Sequence, residues 1–142
     1  MSNNKPYADA AGAYSKNAHS LPNDQREIEA RVLVKSANAL EDIKAHWADD
    51  EKWKGLDKEE ILSDCLLYNR NIWLLFYDAA VEKPEEALEK RPQALRNNII
   101  NLANFIFKRE MEVISSKDID KLDSIININR EISAGLLVKH PR

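Results

Sequence analysis

The chain has 142 residues, of which 44% are hydrophobic and 32% are charged, and this composition is typical of one globular domain. Its net charge of −3 argues against a nucleic-acid-binding surface, because such a surface needs a basic stripe to contact phosphates. The single cysteine, Cys65, excludes an internal disulfide, and the N-terminus lacks the basic start and apolar run of a signal peptide. We therefore expect a cytoplasmic protein.

The distribution of glycine and of β-branched residues indicates the fold class. Three glycines, no threonine and no alternating segment rich in valine and isoleucine favour an all-helical chain. We predict an all-α fold, a single-domain bundle of about five helices over residues 1–142. The most apolar segment, LLYNRNIWLLFYDAA, contains too many polar residues to cross a membrane, so no membrane insertion is expected.

The first predicted helix covers residues 6–18. Its face consists of alanines and tyrosines, which offer little apolar area, so we expect it to dock weakly. The second predicted helix runs from Pro22 to Trp47 and carries an apolar stripe on one side. The charged segment WADDEKWKGL, which contains Gly55, then indicates a linker.

The third predicted helix begins at Asp57, where Glu60 completes a capping box, and ends near Glu82, because Pro84 prevents its continuation. It is apolar on two sides, so we expect it to be the central helix of the bundle. One apolar side contains Asn69. The other side carries a second stripe at seven-residue spacing, formed by Leu67, Leu74 and Val81.

Pro92 opens the fourth predicted helix, which runs to about residue 114 and has one amide-rich face interrupted by Phe105. Ser116 or Asp118 caps the fifth helix, which is expected to end at Gly135 in a left-handed turn, and the tail 137–142 is expected to fray. The apolar face of the fourth helix is predicted to contain Leu95, Ile99, Leu102, Ala103, Ile106 and Ile114.

Two asparagines occupy apolar faces. Asn69 lies within the apolar arc of the third helix, and Asn129 lies in the middle of the apolar face of the fifth. A buried amide without hydrogen-bond partners costs about 1–3 kcal/mol. We therefore predict that both side chains are buried, hydrogen-bonded across the core, and that they fix the register of the helices.

The sequence lacks the motifs of common enzymes, namely HExxH, a Gly-rich phosphate loop and GxSxG. Asp42 and His46 share a helix face and leave a small metalloenzyme as an alternative, although a solvated charged helix end explains them better. Glu110 lies among apolar positions without a second carboxylate, and we expect it to meet a basic residue or a neighbouring helix. The residues alone predict a helical interaction module without catalytic, cofactor-binding or metal-binding residues.

Three motifs occur in a characteristic order. They are Asn69 with Trp73 in the third helix, the Pro-x-x-Leu-Arg start at 92–96, and the Ile-Asn…Gly-Leu ending at 128–136. Together with the N-terminal segment AYSKNAHSLPNDQREIEARVLVKSANAL, they resemble the flagellar biosynthesis regulator family FlaF over residues 7–136. The chain departs from the family pattern at Arg91, where the family often has leucine, and at SSKD, where the family has glycine.

The resemblance implies a cytoplasmic factor of flagellum assembly that is not an enzyme and needs no cofactor. Such a protein binds flagellin as an export chaperone, promotes flagellin synthesis or secretion, and acts in opposition to FlbT, which restrains translation of flagellin mRNA. A FlbT-like regulator is therefore a second expected partner. The alternative is a regulator that binds the mRNA directly, which the acidity of the chain disfavours. The candidate residues for binding a partner are Leu67, Leu74, Val81 and Phe105.

Overall fold

The computed structural model describes residues 23–81 and 93–137, and these two ranges form the predicted all-α fold without any strand. The first predicted helix (residues 6–18) and the tail beyond residue 137 lie outside the described residues. The elements follow in the order α1 Asn23–His46, α2 Asp50–Trp53, α3 Lys58–Val81, α4 Gln93–Ser116, a 3-10 helix Ile119–Lys121, and α5 Leu122–Leu137.

The connection between α1 and α3 is ordered, although its charged sequence suggested a linker. Asp49 caps the short helix α2, because its side chain accepts a hydrogen bond from the backbone N–H of Lys52. The indole Nε1 of Trp53 donates to the carbonyl oxygen of His46 at 2.7 Å and closes the connection back onto α1. Gly55 then turns the chain at a φ of 75°, which a residue with a side chain rarely adopts.

The helix ends agree with the predicted caps in two places and differ in one. The backbone N–H of Glu60 donates to Asp57 Oδ1 at 3.2 Å, which confirms the cap of α3. Asp118 accepts from the backbone N–H of Asp120 at 3.1 Å and so caps the 3-10 helix that precedes α5. The predicted stop at Gly135 is wrong, because α5 continues to Leu137. Continuation buries Leu136, which is 1% exposed.

Three antiparallel helix pairs build the bundle. Helix α1 packs most extensively against α5, α3 packs against α4, and α1 also contacts α3. The direction of each pair follows from its end contacts, such as the 3.0 Å ion pair between Lys44 on α1 and Asp123 on α5. The hydroxyl of Ser133 on α5 donates to the carbonyl oxygen of Ala30 at the other end of α1, at 3.1 Å.

The predicted central position applies to only one face of α3. Seven of its 24 residues are buried, and they lie on the side that faces α1, α4 and the core. Nine of the 16 residues of α5 are buried, so α5 is the most enclosed of the described helices. The second stripe of α3 is therefore not enclosed by the residues that the structure describes, and it forms part of the surface discussed below.

Candidate functional site

Four helices meet at a cluster of buried polar side chains, which we call the polar cluster. Every member is at most 3% exposed. The polar cluster comprises Ser36 on α1, Asn69 and Trp73 on α3, Glu110 on α4, and Asn129 on α5. Polar groups buried to this degree usually have hydrogen-bond partners within the protein.

Asn69 occupies the centre of the polar cluster. Its Oδ1 accepts hydrogen bonds from Ser36 Oγ at 2.9 Å and from Asn129 Nδ2 at 2.6 Å. Its Nδ2 donates to Glu110 Oε2 at 3.2 Å. The indole Nε1 of Trp73 donates to Asn129 Oδ1 at 3.0 Å and completes the network. Because these bonds join all four helices, sliding any one of them along its axis would break a buried bond.

Glu110 is the ionisable member of the polar cluster. Burial raises its pKa to about 7, and this effect exceeds the opposing effects of the hydrogen bond from Asn69 and the positive charge of Arg70. Its second oxygen, Oε1, is buried and has no hydrogen-bond partner among the described residues. A carboxylate held by one neutral donor is poorly stabilised, so Glu110 favours its protonated form more than an exposed glutamate does.

The structure confirms that Asn69 and Asn129 are buried and hydrogen-bonded, as their positions predicted, and it shows that they bond to each other. Glu110 meets a neighbouring helix, which was one of the two expected outcomes. Sequence reasoning missed Ser36 and the role of the Trp73 indole. Ser36 lies beside Ala37 and Leu40 in the buried stripe of α1, and this position was the available signal.

The second stripe of α3 faces outward. Leu67 is 55% exposed and Val81 is 51% exposed, while Leu74 between them is half-buried. Helix α4 carries a matching row at the same seven-residue spacing, formed by Ile100, Phe107 and Ile114. Ile114, which was predicted to lie in the apolar face of α4, is 51% exposed, so this end of the apolar face is not buried.

Contacts of Phe107 bring the two rows together. Its ring lies edge-on to the ring of Tyr77 with centroids 6.3 Å apart, and the guanidinium carbon of Arg70 lies 5.7 Å from its centroid. Leu74 is four residues after Arg70 and three residues before Tyr77, so it lies on the side of α3 that carries the two residues in contact with Phe107. Because α3 and α4 run antiparallel, the equal seven-residue spacing of the two rows is expected to pair Leu67 with Ile114 at one end and Val81 with Ile100 at the other.

We call this surface the α3–α4 apolar face. It consists of Leu67, Leu74 and Val81 on α3 with Ile100, Phe107, Met111 and Ile114 on α4. Met111, which is 60% exposed, lies one turn beyond Phe107 on the same side of α4. The residues of α4 in this surface were not predicted from the sequence. The signal that could have found them is the repeated spacing of seven, since it matches that of the stripe on α3.

Phe105 does not belong to the α3–α4 apolar face. It precedes Phe107 by two residues, which rotates it by about 200° around α4. Its ring is half-buried, packs against the core and lies 5.1 Å from the guanidinium carbon of Arg109. The structure thus brings together three of the four candidate partner-binding residues and places the fourth on another side.

The structure offers no support for a metal site at Asp42 and His46 or for a reactive thiol at Cys65 within the described residues. Asp42 forms an ion pair with Lys52 at 3.1 Å, and its Oδ1 lies 3.2 Å from Nδ1 of His46, as at a charged helix end. No group of three or more potential metal ligands occurs within residues 23–81 and 93–137. Cys65 is half-buried, and burial raises the pKa of its thiol, which makes it a weaker nucleophile at neutral pH. None of the helices in the described ranges is both long and apolar enough to span a membrane.

Comparison with known proteins identifies the family. The family model described as "Flagellar protein FlaF" matches residues 10–136, which is most of the chain. No curated protein and no solved structure matches the chain. The matched range contains α1 to α4, α5 up to its penultimate residue, the polar cluster and the α3–α4 apolar face. The chain therefore belongs to the FlaF family of flagellar proteins.

Proposed function

We propose that this protein is a cytoplasmic regulator of flagellum biogenesis that binds flagellin as an export chaperone. In this role it promotes flagellin synthesis or secretion, acts in opposition to a FlbT-like regulator, and performs no catalysis. The observation that carries the proposal is the α3–α4 apolar face, where Leu67, Val81, Met111 and Ile114 are each more than half exposed. Because the chain belongs to the FlaF family, we expect the partner that binds this face to be a flagellar protein.

The spacing of the α3–α4 apolar face suits a helical client. Two adjacent helices with apolar rows at seven-residue spacing offer the surface into which a third helix packs in a coiled coil. Helix-in-groove recognition uses such surfaces, with apolar anchors on one side of the bound helix. Each apolar side chain covered by the client contributes about 25 cal/mol per Å² of buried area. A bound helix would therefore gain most where Leu67, Met111 and Ile114 are now exposed.

The proposal is tested by measuring the affinity of purified flagellin for Leu67→Asp and Met111→Asp variants. Both side chains are mostly exposed, so the substitutions should leave the fold intact, which circular dichroism verifies. We expect each variant to lose at least tenfold in affinity, because a buried aspartate in an apolar interface is costly. Leu75→Asp is the matched control, since Leu75 is 71% exposed but rotated by about 100° from Leu74 around α3.

Two results would contradict the proposal. One is wild-type affinity of both folded variants, which would place any flagellin site elsewhere. The other is absence of flagellin binding by the wild-type protein together with a gel shift of flagellin mRNA, which would favour the direct mRNA-binding regulator. Two charged side chains lie beside the α3–α4 apolar face: Arg70, whose guanidinium carbon is 5.7 Å from the Phe107 centroid, and Asp78, which lies between Leu74 and Val81 on the same side of α3.

A further inference from the structure

The carboxyl group of Glu110 is buried, and its surroundings stabilise the charged form poorly. It is 3% exposed, its Oε2 accepts a single hydrogen bond from the amide of Asn69, and its Oε1 has no partner among the residues described. A buried carboxylate that is well accommodated usually accepts two or three hydrogen bonds. The geometry around Glu110 therefore suits a neutral carboxyl better than an ionised one.

The groups around Glu110 on the other helices of the polar cluster are mostly neutral. Helix α3 presents the amide of Asn69 and, further out, the guanidinium of Arg70, whose charge favours the ionised form. Helix α1 presents the hydroxyl of Ser36, and α5 presents the amide of Asn129, both of which reach Glu110 through Asn69. Arg70 is itself exposed and stacked on Phe107, so it lies at the edge of the cluster and does not form a buried ion pair.

We propose that Glu110 is a proton-binding site that controls how tightly α4 docks against α3. With its proton bound, the carboxyl remains inside the polar cluster. When the carboxyl ionises, it requires additional hydrogen-bond donors. Solvent and the guanidinium of Arg70, at the edge of the α3–α4 contact, can supply them. Reaching them requires an outward movement of α4, which weakens the bond to Asn69. The raised pKa of Glu110, about 7, places this change near neutral pH.

Ionisation of Glu110 in the interior would also affect the α3–α4 apolar face on the surface. Phe107, which connects the two rows of the α3–α4 apolar face, lies three residues before Glu110 on the same helix. Loosening of α4 therefore changes the spacing of that face. The inference does not depend on flagellin being the client, because it concerns the isolated protein.

The test compares the full-length wild-type protein with Glu110→Gln and Glu131→Gln variants between pH 5 and pH 8. Glutamine keeps the shape of Glu110 and the acceptor for Asn69 but cannot ionise. Glu131, which is exposed on α5, provides the matched control. The measurements are the urea midpoint of unfolding and hydrogen exchange of α4 corrected for the intrinsic pH dependence of exchange. Apart from Glu110 and Glu131, the three proteins have the same ionisable groups, so a difference from the wild type that Glu110→Gln shows and Glu131→Gln does not show belongs to Glu110.

Between pH 4.5, the ordinary pKa of Glu110, and about 7, its pKa in the folded protein, stability should fall as pH rises. Over this range we expect the folding equilibrium constant of the wild type and of Glu131→Gln to fall by up to about tenfold per pH unit. Exchange in α4 should accelerate over the same range, and Glu110→Gln should lose this component. An unchanged pH dependence in a folded Glu110→Gln variant would overturn the proposal. If that variant does not fold, ¹³C NMR titration of the wild-type Glu110 carboxyl decides: a midpoint near 7 supports the proposal, and one near 4.5 overturns it.

Discussion

The amide oxygen of Asn69 accepts hydrogen bonds from both Ser36 and Asn129, so one side chain on α3 connects α1 with α5. The same amide donates to Glu110 on α4. The arrangement uses both lone pairs of Oδ1 and one N–H of Nδ2, and it fixes which way the amide points. Asn69 is thus the residue on which the mutual register of the four long helices depends.

Asn69→Ala should destabilise the protein by on the order of 3 kcal/mol, because it leaves buried groups of Ser36, Asn129 and Glu110 without their partner. Urea denaturation measures the loss. Asn71→Ala is the matched control, since Asn71 lies two residues away on the same helix and is exposed, and it should change stability by less than about 0.5 kcal/mol. Equal effects of the two substitutions would show that the buried bonds contribute no more than helix propensity.

The direct bond between Asn69 and Asn129 predicts that their substitutions are not additive. Asn129→Ala alone should cost about 1–3 kcal/mol, because it strands the indole N–H of Trp73. The double variant Asn69→Ala/Asn129→Ala should be more stable than the sum of the single effects implies, by roughly 0.5–3 kcal/mol, since each single change already breaks the shared bond. Strict additivity in this double-mutant cycle would contradict the network.

Glu110→Gln should stabilise the protein at high pH but not at low pH. The folded-state pKa of Glu110, about 7, lies above its ordinary value of 4.5, so the folded protein holds the proton over this range and its stability falls as pH rises from 4.5 to 7. The full effect is on the order of 3 kcal/mol. Above pH 7 the variant should therefore be more stable than the wild type, whereas near pH 5 it should be equal or less stable, because the glutamine N–H groups lack an acceptor at the Oε1 position. Urea midpoints at pH 5 and pH 8 check the sign.

Much of this architecture was predictable from local sequence signals. The cap at Asp57 and the predicted buried positions of Asn69 and Asn129 follow from residue type and helical period, which act over a few residues. The fold class follows from the same signals summed over the chain. These features are predictable because each depends on residues that are close in sequence.

The remaining features depend on contacts between distant segments. The helix α2 forms inside a charged segment because Trp53 finds a carbonyl acceptor on α1, and α5 passes through Gly135 because Leu136 reaches the core. Asn69 and Glu110 are 41 residues apart, and no local pattern pairs them. Phe105 was a candidate because it interrupts a polar face in the sequence. Phe107 was not predicted, because its role depends on contacts with Tyr77 and Arg70 on another helix.

If the α3–α4 apolar face binds a helical client, as proposed above, its dimensions predict the length of the bound segment. Its row on α3 runs from Leu67 to Val81, which is two heptads or about 21 Å at 1.5 Å per residue. A flagellin peptide of about 15–20 residues with apolar side chains at seven-residue spacing should therefore compete with intact flagellin. It should gain helical circular dichroism on binding, because the matching rows of the face require a helix. A peptide of identical composition with the apolar residues moved out of register is the control. Competition by both peptides to the same extent would show that the face binds apolar chain without regard to helical spacing, and competition by neither would place the client contact beyond the two heptads.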